Sequence, residues 1–310
     1  MTNDHIPAMS VIIPAAGPYG TIRKTIKHLH AQTVKDQLEI IVVTPGAASF
    51  KVDDADITGF HQFRVLEAGH VRSNGAAYAK GIRDATAPVV ALGEDHAYPA
   101  VGWAEALIRA HREPWAAVCP VVCNANDPRS TIAWADVIIG FGEWLIPEAG
   151  PIPRVPANNS SYKRAVLLAY GPELDAMMEE LTLFQQEFQR RGWQAYLEPA
   201  AKLTHLNFER LSSFIKMRLL SGRCVGAVRS RGWSVPRRLL YACGAFLIPV
   251  IVYLRIARSF RILHREGRLP WGVMPIIVCG LVILAAGESV GYLCGGVAFP
   301  FDIRRSIPRP

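Results

Sequence analysis

Three consecutive residues carry the clearest chemistry in this sequence. Glu94, Asp95 and His96 follow a short apolar run, Pro88–Leu92. Two carboxylates and an imidazole make a ligand set suited to Mn2+ or Mg2+. A cation held there would neutralise a diphosphate. The competing reading is a solvated turn that caps a helix. Position favours the metal, because the apolar run reads as a buried strand, and ligands of open α/β sheets sit at the carboxyl ends of strands.

The elements that must hold this triplet alternate along the first part of the chain. Met9–Pro14, Leu38–Val43, Phe63–Leu66, Pro88–Leu92 and Ala116–Val122 read as strands, being apolar and rich in β-branched residues. Thr21–Gln32 places Ile22, Ile26 and Leu29 at helical spacing, with Thr21 as the expected N-cap. Asn74–Ala85 and Gly102–His111 are further helices. The alternation predicts a mostly parallel sheet with helices on both faces. Its site edge would gather Pro14-Ala15-Ala16, Thr44-Pro45-Gly46 and Glu94-Asp95-His96. Residues 124–156 show no period and read as a long excursion; Trp134 and Trp144 within it are core residues or sugar-stacking platforms. Glu173–Arg191 reads as one helix, Gln194–Leu197 as a strand and Glu198–His205 as a loop.

Composition excludes a disordered or fibrous protein: half of the 310 residues are hydrophobic and 19% are charged. Charge is unevenly divided. Residues 1–209 hold 18 Lys/Arg against 23 Asp/Glu, while residues 210–310 hold 16 against 3. A basic tail suggests nucleic acid or a membrane. Apolar runs at Leu239–Leu254 and Leu269–Gly287 decide for the membrane and against nucleic acid. The reading is a body at 1–220, a basic linker at 221–238, a membrane region at 239–301 and a basic tail at 302–310. Within that region 239–254 is short or re-entrant, since Pro249 interrupts it, and 269–292 is a spanning helix. The linker Arg255–Arg268 holds five arginines, each worth about 1 kcal/mol against anionic headgroups. Glu288 is an ionisable group inside an apolar run, either functional or at headgroup level. The six cysteines are too scattered for a disulfide framework. MTNDHIPAMS lacks the basic start of a secretory signal, so the body is expected at the cytoplasmic face of the inner membrane.

Beyond these patterns the motifs MSVIIPAAG, QTVKDQLEIIVV, GAAYAKGI, APVVALGEDHAYPAVGW, ANNSSYKRAVL and RRGWQAYLEPAAKLTH occur in that order. Together they resemble the inverting family 2 glycosyltransferases of the GT-A fold, over about residues 8–220. The resemblance implies a GT-A α/β body followed here by membrane helices, and transfer of a sugar from a nucleotide-diphosphate donor using Mn2+ or Mg2+. By the same likeness Pro14 and Ala15 lie beside the donor base, and Thr44 stands where the family has an aspartate. Arg72, Gly75 and Glu94 are implied donor contacts, with Arg72 on phosphate. Glu94-Asp95-His96 replaces the family's Asp-x-Asp motif, Asp95 taking the place of the direct metal ligand; His96 is a second ligand or a group supporting one, and His205 completes the metal set, contacts phosphate or is a structural histidine.

Glu179 and Glu180 match the acidic pair that opens a late helix in the family and supplies the general base. Glu180 is preferred, with Asp175 as the alternative. Asn158, Asn159 and Ser160 match the loop near the donor sugar and acceptor. The processive Gln-x-x-Arg-Trp motif is missing from Lys216–Arg223, which implies single-sugar addition to a lipid-linked or glycan acceptor. Two rivals are a degenerate membrane-bound sugar-nucleotide binding protein and a nucleotidyltransferase, although Ala15–Gly20 has no lysine for the latter's signature.

Overall fold

A computed structural model describes residues 6–69, 73–156 and 158–295. The elements in chain order are β1 (Met9–Pro14), α1 (Arg23–His30), β2 (Leu38–Thr44), α2 (Asp54–Ile57), β3 (Gln62–Glu67), α3 (Asn74–Asp84), β4 (Val89–Leu92), β5 (Ala97–Pro99), α4 (Trp103–Ala110), β6 (Ala117–Asn124), α5 (Thr131–Phe141), β7 (Gly150–Ile152), β8 (Ser161–Lys163), α6 (Arg164–Leu168), α7 (Leu174–Glu179), α8 (Leu181–Arg190), β9 (Ala195–His205), α9 (Leu211–Arg229), α10 (Val235–Gly244), α11 (Ile248–Arg265) and α12 (Val273–Cys294). They form two compact units, residues 1–123 with 147–204 and residues 124–146 with 205–310.

The first unit is built on the sheet. Its order is β3-β2-β1-β4-β8-β6-β9-β5, with β7 on β9. β3, β2, β1 and β4 run parallel, as the alternation predicts. β8 departs from that expectation by pairing antiparallel with both β4 and β6, and β7 is antiparallel to β9. β1 and β2 are buried along their whole length, which is why their sequences are continuous apolar runs. Two polar residues interrupt them, Ser10 and Glu39, and both are fully buried. Glu39 accepts from Ser10 Oγ, from the Thr86 amide at 2.9 Å and from Arg64 Nη2 at 2.6 Å. Burial works against its charge, but these bonds outweigh it and hold the carboxyl below the usual range.

Several expected boundaries shift. Thr21 is not the N-cap of α1; its hydroxyl donates to Pro18 O inside a preceding helical turn, and the helix starts at Arg23. The expected single helix 173–191 is two, α7 and α8, broken at Glu180 with φ −115° and ψ 79°. The expected loop 198–205 continues β9. The excursion at 124–156 contains a helix, α5, capped by Ser130 Oγ on the Ala133 amide.

The second unit is helical. α9 runs through the expected boundary at 220 and through much of the expected linker 221–238. The helix from Val235 reaches Arg265, so the arginine-rich segment 255–265 is helix and not a loop. Among the described residues two helices are long and apolar enough to cross a membrane, Val235–Arg265 and Val273–Cys294. α12 packs along α9 through glycines. A Cβ at Gly222 would stand 2.0 Å from the Leu284 carbonyl oxygen, and one at Gly287 would stand 2.3 Å from that of Leu219. Glu288 is buried and accepts from Arg229 Nη1 at 3.1 Å and from Tyr292 OH at 2.9 Å. The tail 302–310 and residues 296–301 lie outside the described residues.

Candidate active site

The parallel strands end at Pro14, Thr44, Glu67 and Leu92, and the Glu94 triplet follows directly. Its backbone is tied to three elements. Gly93 N donates to Ile12 O at 2.8 Å in β1, Tyr78 OH of α3 donates to Gly93 O at 2.7 Å, and Thr25 Oγ1 of α1 lies 3.3 Å from Glu94 O. These bonds fix the chain at the point where the sheet edge opens, and they give the triplet a rigid support.

The Glu94 side chain is 4% exposed. Asn158 Nδ2 donates to its Oε1 at 2.7 Å, and Asn159 Nδ2 donates to its Oε2 at 2.8 Å. Two neutral amides thus orient one carboxylate, one per oxygen. Asn159 is held in the left-handed region, φ 65°, and among the described residues it is the only non-glycine there. Its backbone N donates to Leu92 O at 2.5 Å, and Leu92 N donates to Ser160 O at 3.0 Å. Asparagine is among the few side chains that tolerate this conformation. Asn159 Oδ1 is buried and has no hydrogen-bond partner within the protein.

His96 is also buried, and its Nδ1 faces Asp95 Oδ1. Its Nε2 lies 3.9 Å from Glu94 Oε2. A carboxylate on Nδ1 fixes the ring and leaves Nε2 as the nitrogen that could take a cation. Asp95 is therefore placed to orient His96, and its side chain is 46% exposed. His205, the buried last residue of β9, repeats the pattern: its Nδ1 faces Asn207 Oδ1 at 2.8 Å, and its ring lies 4.7 Å from that of Phe141. The residue before it, Thr204, donates through Oγ1 to Tyr98 O at 3.2 Å.

The other expected contacts divide. Pro14, Ala15 and Thr44 lie at the expected edge, where Ala15 N donates to Val43 O at 2.8 Å and Ala68 N to Thr44 O at 2.9 Å. Gly75 has a packing duty, since a Cβ there would meet the Met178 carbonyl oxygen of α7 at 2.5 Å. Arg72 lies outside the described residues. Ser160 is fully buried, with its hydroxyl 3.5 Å from Cys119 Sγ, so it backs the loop and does not face a sugar. Glu179 accepts from Ser73 Oγ, the α3 cap, at 2.9 Å. Asp175 is ion-paired with Arg83. Glu180 sits half-buried at the α7–α8 break. Trp134 is core, and its Nε1 donates to Pro128 O at 2.9 Å. Sequence reasoning missed the two-amide hold on Glu94, because nothing local in the sequence joins residues this far apart.

This strand-end carboxylate and imidazole stand on a sheet that comparison assigns to a known class. The family model described as glycosyl transferase family 2 matches residues 10–170, more than half of the chain. The protein belongs to that family and is a glycosyltransferase with a GT-A body. Among solved structures it is similar to the mannosyltransferase PcManGT from Pyrobaculum calidifontis in complex with GDP-Man and Mn2+, at 15% identity and TM-score 0.55, covering 93% of this chain and 88% of that one. It is also similar to GalNAc-T7 with UDP, GalNAc and Mn2+, at 14% identity and TM-score 0.49 over 66% of this chain and 44% of that one. The chain thus spans less than half the length of the latter. At these identities the likeness is one of fold. No curated protein matches the sequence.

Proposed function

We propose that the protein moves a single sugar, with inversion, from a nucleotide-diphosphate donor to a lipid-linked or membrane-proximal acceptor. The observation that carries this is the Glu94 carboxylate, buried at a strand end and held by two amides beside a ring-fixed imidazole. Within the first unit, Glu94 and His96 are buried and able to offer one ligand atom each to a cation. A carboxylate oxygen with an imidazole nitrogen suits Mn2+ well and Mg2+ less well. When bound, such a cation supplies the charge that stabilises the leaving diphosphate. PcManGT was solved with GDP-Man and Mn2+, which supports the donor class.

In this reading the roles within the triplet differ from those the resemblance implies. Glu94 and His96 are the ligands, and Asp95 orients His96. Glu180 is the proposed base, taking the proton from the acceptor hydroxyl as that oxygen attacks the anomeric carbon.

Calorimetry with Mn2+ and a panel of nucleotide sugars, followed by donor hydrolysis, tests the proposal. Metal-dependent donor binding with slow hydrolysis is expected, and Glu180→Gln should abolish transfer while leaving donor binding intact. Binding without any turnover would instead identify a sugar-nucleotide binding protein. Undiminished transfer by Glu180→Gln would remove Glu180 as the base.

A further inference from the structure

We infer that the second unit attaches to the bilayer from one side, as a helical layer lying in the interface, and that neither of its long apolar helices crosses. The packing of α12 carries this. Gly280 faces the Phe214 ring, Gly287 the Leu219 carbonyl, and Gly291 the Arg223 carbonyl, so the two helices run parallel, backbone to backbone. Residues 280–291 of α12 therefore share their depth with residues 214–226 of α9. At about 1.5 Å per residue that shared stretch is more than half of a hydrocarbon core about 30 Å thick. α9 carries Lys216, Arg218 and Arg223 there. Arg218 is neutralised by Asp136, but Lys216 is exposed. A spanning α12 would drag these charges to the bilayer centre, where they are costly.

The exposed faces fit an in-plane arrangement. Phe246, Val250 and Leu254 on the first long helix, and Val278, Val282 and Leu293 on α12, are exposed and apolar. Past Leu254 the first helix becomes two-sided. Arg255, Arg258, Arg261 and Arg265 follow at steps of three, three and four, so they share one face, and all are exposed. Ile256, Phe260 and Leu263 are buried. An apolar surface continuing into a basic stripe is the signature of a helix that lies on an anionic leaflet. Trp271, wholly exposed between α11 and α12, and Trp233 just before α10 with Tyr241 within it mark both ends as headgroup-level. The arrangement also removes a conflict in the sequence. A crossing at Val235–Arg265 would send the arginines of 255–268 to the side opposite residues 229–234, which are equally basic-flanked, whereas an in-plane helix keeps both groups on one side.

The test uses full-length wild-type protein in sealed membrane vesicles of known orientation. Trypsin added outside reaches two exposed turns, at Arg231 and at Arg265–Arg268. One-sided attachment predicts that both turns are cut in one orientation and both protected in the other. Cleavage of one turn in each orientation means a crossing and overturns the inference. Where cleavage is blocked by structure, cysteines introduced one at a time as Arg231→Cys and Glu266→Cys, with Cys123, Cys224, Cys243, Cys279 and Cys294 changed to Ala and the buried Cys119 kept, report the same sidedness through a membrane-impermeant maleimide. A second arm uses vesicles containing phosphatidylglycerol. Arg258→Glu with Arg261→Glu should lower co-flotation at least tenfold, while neutral vesicles bind both forms weakly. Charge-independent flotation overturns the proposal, as does a lipid-free protein that hides this face in a stable oligomer and does not float.

Discussion

The two units keep close order by opposite means. In the first, side chains do it: Glu39 and Glu94 are buried charges, each held by donors reaching from other elements. In the second, the absence of side chains does it: glycines let α9 and α12 meet backbone to backbone. A sheet edge must present chemistry, so its polar groups are fixed one bond at a time. A helical layer with few directional bonds gains its definition from close contact, and its buried acidic groups are each met by an arginine, Asp136 by Arg218 and Glu288 by Arg229 with Tyr292.

The contrast breaks first at Glu94. Glu94→Gln keeps the shape but removes the buried negative charge and places an amide among amides. Transfer should fall about a thousandfold, or about 4 kcal/mol, with the circular-dichroism spectrum unchanged. Activity within a few-fold of wild type would show that Glu94 does not serve the cation. In the second unit, Gly226→Leu should act on the fold. A Cβ there would stand 2.2 Å from the Glu288 carbonyl oxygen, so the helices must separate, at a cost upward of about 3 kcal/mol. Urea unfolding checks this; a loss below 1 kcal/mol would mean that the contact is loose.

Acid should expose a third difference. His111 is buried, with Nε2 2.9 Å from Ser161 Oγ. Burial, helped by the nearby Lys163 charge, lowers its pKa from 6.5 to about 4. The unfolded chain takes up this proton near pH 6.5, and the folded chain does so only near 4. The contribution is therefore complete above pH 6.5 and is lost as pH falls towards 4, by about 3 kcal/mol. His111→Gln should flatten that stretch of the stability profile. An unchanged slope would assign acid sensitivity to other groups.

Much of the sheet was legible from sequence because β1, β2 and β4 are continuous apolar runs closed by Pro14, Pro45 and Gly93. The site edge was legible for the same reason: the strand ends name it. α5 was not, since TIAWADVIIGF is apolar on nearly every side and carries no helical stripe to read. The break at Glu180 escaped because neither glycine nor proline marks it. Pro199 disguised the second half of β9 as a loop. Within the site, residue types were readable and their partners were not. The structure sets the Asp95 carboxylate against His96 and the Asn159 side-chain amide on Glu94, contacts that residue types alone do not reveal.

Asn159 carries two duties within the first unit, since one residue supplies both a directional bond and an unusual backbone. Glycine and alanine separate these duties. Both variants lose the amide on Glu94 Oε2, so both should weaken Mn2+ binding by the same factor, about tenfold, the worth of one hydrogen bond to a charged group. They should differ in stability. Glycine adopts φ 65° freely, whereas alanine there costs about 1 kcal/mol more. Calorimetric Mn2+ titration of each variant, set beside its urea midpoint, reads the two quantities independently. Equal midpoints would show that the backbone relaxes away from the left-handed region once the amide is gone. Unequal Mn2+ affinities would show that the conformation itself, and not only the amide, aims Glu94 at the cation.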